Sequence, residues 1–404
     1  MVSADADARR SEAGMTAGEE KGGDAGKGLK NARGAAVESD SADRDGSRRL
    51  TSLWAGLGAV AGLGAALGGY ALLYEPFDVR VERLAVRLLR DKAGLPREGL
   101  NILHLSDTHF RGADRREHAK ITQVRRATEG EKIDVLIHTG DFLHKDSGLD
   151  NVLALLDSIP KPRLGAFAVS GNHDHVFYNL RRAPLYSWRL FRARASEKGA
   201  VSGARSAAET AGNGSAGLRD LLLFGRFLFQ NRFDGEPAGG NDIDRLRREL
   251  EERGMQFLDN RSVRLGETGV YLVGIEDLME GRPDLPKGLE GVPKDAPTVL
   301  LSHNPDIIEA AAAGRADLLL AGHTHGGQIV LPLIGPTYTQ TEQLSRNEAS
   351  GYSRRGRTQI YVHRGLGESV PVRFGAPPHV TFIRLLPARL HSGGDGAGRN
   401  GDRG

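Results

Sequence analysis

The chain has 404 residues, 55 basic and 52 acidic side chains, and no cysteine. That length can bury a substantial core; the missing cysteine excludes disulfides, thiolate metal sites and a cysteine nucleophile. A formal net charge of +3 is a small surplus of bases and not a basic stripe, which disfavours nucleic acid as a partner.

Residues 1–50 contain nine bases, ten acids and almost no large apolar side chain. Such a segment cannot bury enough surface to offset the entropy of ordering it, so disorder is expected there and again at 388–404. Residues 51–74, TSLWAGLGAVAGLGAALGGYALLY, carry no charge. At about 1.5 Å per residue the run can cross a hydrocarbon core of about 30 Å as a single transmembrane helix. Trp54, Tyr70 and Tyr74 lie near its ends, where interfacial aromatics belong. The pairs Gly58/Gly62 and Gly64/Gly68 have the small-xxx-small spacing that permits self-association in lipid. Arg48-Arg49 before the run resembles an export signal, but no clear small-x-small cleavage site follows, so an uncleaved signal anchor is expected. This reading puts the protein in the cell membrane with its catalytic part on the extracytoplasmic side, although Arg80, Arg83, Arg87 and Arg90 weigh against that side.

From residue 75 to 387, short apolar runs alternate with helical stretches, as in an α/β domain. LNILHLSD, DVLIHTGD, GAFAVSGN, GVYLVGIED, PTVLLSHN, ADLLLAGHTH and TQIYVHRG read as buried strands. Asn151–Ile159 and Ile243–Gly254 read as helices. The stretch 180–240 interrupts the pattern with basic, aromatic and Gly-rich sequence, an insertion expected to act as a lid or to cover neighbouring core.

The polar residues collect where strands end. Asp107 and His109 follow NILHLS, and Asp141 follows VLIHTG. Asn172, His173 and Asp174 follow AFAVSG, His303 follows TVLLS, and His323 and His325 follow DLLLAG. Ligands of open α/β sheets bind beyond the carboxyl ends of strands. In an extended segment residues i and i+2 point the same way, so Asp107 and His109 can grip one ion. Imidazole, carboxylate and an amide oxygen without thiolate suit Mn first, with Fe and Zn compatible. Two divalent ions against two carboxylates leave a positive site that favours an anionic substrate such as a phosphate ester. His104 and His138 sit inside strand runs and read as core; of the remaining histidines, His175 is expected to line the pocket.

The ordered set D-x-H, GD, GNHD, SHNP and GHTHGGQ resembles the calcineurin-like metallophosphoesterase superfamily, in particular its bacterial membrane-associated YkuE/YaeI-like branch. LYEPFDVRVERLAV, GIED and YVHRGLGESVPVRF add to the likeness, which covers residues 70–387 apart from the insertion. The resemblance implies a two-sheet β-sandwich flanked by helices and a dinuclear metal centre. One ion would take Asp107, His109, Asp141 and His325; the other would take Asp141, Asn172, His303 and His323. His173 would be the catalytic residue at the leaving group, with Asp174 orienting its ring. The expected reaction is hydrolysis of a phosphodiester or pyrophosphate by a hydroxide bridging the two ions. The substrate would be lipid- or nucleotide-linked, for example the lipid A precursor UDP-2,3-diacylglucosamine. A membrane-anchored scaffold with a non-catalytic metal site is the alternative. His379 departs from the acidic residue usual in this branch and, with the long insertion, raises the question of substrate access.

Overall fold

Apolar runs of four to eight residues closed by Gly, Ser, Asn or Asp favour strands covered on both faces. The computed structural model describes residues 54–56, 58–90, 94–112, 115–179, 188 and 236–388, and each of the seven runs forms a strand. In chain order the strands are β1 Arg80–Arg87, β2 Leu100–Leu105, β3 Val135–His138, β4 Ala166–Ala168, β5 Val176–Asn179, β6 Glu236–Gly240, β7 Met255–Phe257 and β8 Arg261–Arg264. They continue as β9 Tyr271–Gly274, β10 Thr298–Leu301, β11 Leu318–Ala321, β12 Val330–Leu331, β13 Gly335–Pro336, β14 Gly351–Arg355, β15 Thr358–Val362 and β16 His379–Leu386. The main helices are α1 Arg115–Thr128, α2 Leu149–Asp157, α3 Ile243–Glu252 and α4 Ile308–Ala313.

The chain divides into two units, Met1–Ala66 and Leu67–Gly404, and the second holds all the strands. One six-stranded sheet has the order β1-β16-β2-β3-β4-β7 and the other β14-β15-β11-β10-β9-β8. The inner strands β2, β3 and β4 run parallel, as do β9, β10, β11 and β15. Alternation along each strand splits the core into layers. Ile102, Val135, Ile137 and Phe167 of the first sheet share one cluster with Leu272, Val299, Leu301, Leu318 and Leu320 of the second, which makes the molecule a sandwich. Their neighbours turn outward: Leu103, Leu105 and Leu136 pack with Val124 of α1, Val152 and Leu155 of α2, and Leu246 and Leu250 of α3. Leu300, Leu319 and Ile360 pack with Ile308 and Ala311 of α4. Because the inner strands of both sheets are parallel, their carboxyl ends release a row of loops, and these loops carry the polar clusters.

Most of the uncharged run lies in a 24-residue helix, Trp54–Phe77, long and apolar enough to cross a membrane, whose last turn adds Glu75. The base of the insertion is an antiparallel pair, β5 with β6. The expectations for 1–50, for the tail beyond 388 and for most of 180–235 fall outside the described residues.

Candidate metal centre

All eight Asp, Asn and His side chains read as ligands or as the leaving-group residue are buried, and seven of them, all but Asn172, fall into close donor groups. Asp107 and His109 follow β2, Asp141 follows β3, Asn172 and His173 follow β4, His303 follows β10, and His323 and His325 follow β11. The backbone differs from the expected extended form. Asp107, His109, Asp141, His323 and His325 all have positive φ, between 45° and 71°. Left-handed backbone is uncommon for non-glycine residues and collects where a site over-determines it. Asp107 and His109 do reach one site, through tight turns in place of a straight segment.

Backbone bonds lace these turns together. Asp107 N–H donates to Gly140 O at 3.0 Å, and His109 N–H to Asp141 O at 3.0 Å. His323 N–H donates to the Asp107 carboxylate, at 2.9 Å to Oδ1. Gly171 is required here, since a Cβ on it would stand 2.3 Å from Asp141 Oδ1.

Among the described residues three donor groups have ligand atoms within 4.8 Å of one another; two consist of expected ligands, Asp107, His109 and His325, and Asp141, His303 and His323. Asp141 Oδ2 joins them, lying 3.2 Å from His109 Nε2 and 3.2 Å from His303 Nε2. Within the first group His109 Nε2 and His325 Nε2 are 3.0 Å apart; within the second His323 Nδ1 and His303 Nε2 are 3.1 Å apart. Neutral imidazoles so placed either share one proton or turn lone pairs on a common cation. His303 Nδ1 donates to Thr139 O at 2.8 Å, which fixes the ring with Nε2 turned inward toward Asp141. Asn172 Oδ1 is buried without a partner while its amide nitrogen faces the Tyr178 hydroxyl at 3.5 Å. An orphaned oxygen and convergent ring nitrogens are what a divalent ion would satisfy, so the residues fit a metal.

The electrostatics agree. Burial raises Asp107. Burial would also raise Asp141, but the imidazoles of His303, His173 and His109 overcome it and hold that carboxyl well below its usual range. Burial lowers His303, yet Asp141 outweighs it and lifts the ring to about 10. Burial carries His173 down to about 3 and pushes His325 down as well.

One expectation is corrected. Asp174 does not orient the His173 ring. Its carboxylate accepts the amides of Asp141 at 2.9 Å, Gly171 at 2.9 Å and Leu143 at 3.1 Å, while His173 Nδ1 has no partner. The two residues are adjacent in a helical turn, Asn172–His175, and consecutive helical side chains diverge. His144 joins the site histidines, grouping with His109 and His173, whereas His175 belongs to none of the donor groups. The His144 amide donates to Phe110 O at 2.8 Å, which ties it to the loop after β2, and burial drives its ring down to about 2. His379, the departure from the usual acidic residue, lies inside the fold. It is buried in β16, stacked on His363 at 4.0 Å, with Nε2 3.2 Å from the Tyr361 hydroxyl. His104 and His138 are core, as expected; His138 stacks on Phe142 at 3.6 Å.

Tyr178 is the residue the sequence did not disclose. Its ring meets His173 edge-on at 4.8 Å and its hydroxyl donates to Glu280 at 2.9 Å, so it carries the insertion stem to the site. A lone aromatic at the edge of an irregular stretch has no pattern to mark it.

The profile of the calcineurin-like phosphoesterases matches residues 100–327. The UDP-2,3-diacylglucosamine pyrophosphatase LpxG of Chlamydia muridarum is 29% identical over 330 residues, 77% of this chain and 91% of that protein. The phosphodiesterase YaeI of Escherichia coli is 31% identical over 152 residues, 37% of this chain and 54% of that protein. A Bos taurus transmembrane protein with a metallophosphoesterase domain is 34% identical over 152 residues, 33% of each chain.

Proposed function

The chain belongs to the calcineurin-like phosphoesterases, and from that premise we propose that it is a membrane-anchored phosphodiesterase or pyrophosphatase with a dinuclear centre. Residues 75–387 form the catalytic domain and residues 51–74 the anchor. Asp107, His109, Asp141 and His325 hold one ion, and Asp141, Asn172, His303 and His323 the other. The observation that carries the reading is the Asp141 carboxylate oxygen 3.2 Å from an imidazole of each group. An oxygen so shared would be available to an ion held by either group. Mn suits the donors best, with Fe and Zn compatible.

Divalent ions there supply Lewis acidity toward phosphoryl oxygens and ease the ionisation of water. The chain does the rest. Its imidazole-rich site draws in a phosphate dianion or diester, and burial keeps bulk water out. His173 stands beside His109, ring centroids 4.5 Å apart, in reach of an ester held at the centre. Burial keeps it neutral in the free protein, and a bound phosphate anion raises its proton affinity. Thus the substrate recruits the proton that His173 passes to the leaving oxygen.

The substrate class we propose is a lipid- or nucleotide-linked pyrophosphate or phosphodiester such as UDP-2,3-diacylglucosamine, on the strength of the likeness to LpxG and the apolar helix. A UDP-linked substrate calls for a domain facing the nucleotide pool, against the extracytoplasmic side read from Arg48-Arg49; protease protection in spheroplasts decides the side. The function is tested by assaying the full chain in detergent with Mn, Fe, Zn and Mg against monoesters, diesters and pyrophosphates, before and after chelation. Diester or pyrophosphate turnover that disappears on chelation and returns with metal supports the reading; turnover that survives exhaustive chelation defeats it.

A further inference from the structure

Within the unit Leu67–Gly404, few large apolar side chains of the described residues face solvent: Leu67, Tyr70, Leu72, Leu73, Tyr74, Val81, Leu333, Ile334 and Tyr352. Five belong to the end of the apolar helix. Two more, Leu333 and Ile334, sit side by side with exposed Pro332 at the tip of the β12–β13 hairpin, and Leu333 is the most exposed of all at 108%. Isolated exposed leucines are ordinary. Three consecutive exposed apolar residues on a tight turn are not, and they mark an interaction surface.

The hairpin and the helix end rest on one strap, Arg373–Ala376. On the hairpin side Val330 N–H donates to Phe374 O at 2.6 Å and Phe374 N–H to Gln328 O at 2.9 Å. On the helix side Arg373 N–H donates to Ala71 O at 3.0 Å, and the Phe374 ring meets Tyr70 edge-on at 6.1 Å. The Glu75 carboxylate accepts Gly375 N–H at 2.9 Å and Ala376 N–H at 2.7 Å. The tip is therefore a second apolar projection mounted on the residues that fix the exit of the apolar helix. It begins five residues after His325.

We propose that the tip Pro332–Ile334 dips into the lipid surface beside the helix, giving the domain a second point of contact that sets how the metal centre faces the bilayer. Leucine and isoleucine without a single charge between Ile329 and Gln340 suit the hydrocarbon boundary, and continuity with the helix names lipid as the occupant. The proposal rests on the membrane anchoring argued above and goes beyond it.

The cysteine-free chain permits single spin labels. Full-length Leu333→Cys, Leu63→Cys and Tyr352→Cys proteins are labelled and placed in phosphatidylethanolamine/phosphatidylglycerol vesicles. Collision with oxygen and with a water-soluble nickel chelate is then measured. The Leu333 label should meet the chelate several-fold less often than the Tyr352 label, and oxygen more often. If it matches Tyr352 while the Leu63 label lies in lipid, the hairpin proposal falls and anchoring stands. If the Leu63 label is also aqueous, anchoring falls and takes the hairpin with it. Protection that persists in detergent and depends on protein concentration would assign the tip to a second copy of the chain, and would likewise overturn the proposal.

Discussion

The carboxylate of Asp174 accepts the backbone amide of Asp141 at 2.9 Å, so one acidic residue holds the turn that presents another. The same carboxylate bonds Gly171 and Leu143, binding the loops after β3 and β4 into one piece. Asp174→Ala strips partners from three buried amides, each worth about 1–3 kcal/mol when left unsatisfied. The substitution should lower stability by several kcal/mol and loosen metal at both positions. Denaturant titration together with metal analysis checks this. A variant with full stability and full metal content but slow turnover would restore the ring-orienting role.

That relationship marks the limit of what was legible beforehand. Strand ends and the polar clusters beyond them could be read, because a buried strand is an unbroken apolar run and five such clusters in register are hard to assign to caps and core. The geometry between neighbours could not. His173 and Asp174 look like a pair in one dimension, but a helical turn separates them. His144 stands alone after GDFL and reaches the site only because its amide bonds Phe110 O, a contact across 34 positions that no local pattern encodes. The left-handed turns at Asp107 and His109 escaped notice because the extended reading brings the same two side chains together.

Asp141 and Asp107 should differ in what their loss removes. Asp141→Ala takes away the oxygen between the two groups, so bound metal should fall at both positions. Asp107→Ala should empty chiefly the position of His109 and His325, and should also disturb the His323 turn, whose amide it accepts. Metal stoichiometry on purified full-length variants separates the two. Equal loss in both variants would mean that the positions fill only together.

His173 is expected to matter in proportion to the basicity of the leaving group. A positioned acid contributes typically 10²–10⁴-fold, so His173→Ala should lower kcat by about that factor for an alkyl ester. A nitrophenyl ester should lose much less, because nitrophenolate departs without a proton. Parallel assays on the two ester types suffice. Equal losses would leave His173 a binding residue and not an acid.

The loop beneath the first donor group depends on buried charges. Arg373 is buried and donates to the carbonyls of Arg364 at 3.0 Å, Gly365 at 3.3 Å, Gly367 at 2.5 Å and Ala376 at 2.7 Å. That loop lies against the site: Gly367 N–H donates to Asp107 O at 2.6 Å, and a Cβ on Gly365 would come within 2.8 Å of the Asp107 side chain. Glu368 neutralises the arrangement, accepting Arg373 Nε at 3.2 Å and Lys120 Nζ at 2.5 Å. Burial already lowers Lys120, so its charge persists there only because Glu368 offsets the penalty. Breaking a buried pair from one side costs about 3–5 kcal/mol because it leaves an uncompensated buried charge. Glu368→Ala leaves two buried cations facing each other and should destabilise by at least the lower figure; Lys120→Met leaves the Arg373–Glu368 pair intact and should be milder. Metal should also leave Glu368→Ala faster than wild type, since the displaced loop is the one that backs Asp107. Denaturation midpoints and chelator-driven metal release measure both effects. A Glu368→Ala protein that is destabilised but releases metal at the wild-type rate would confine the network to folding and detach it from the site.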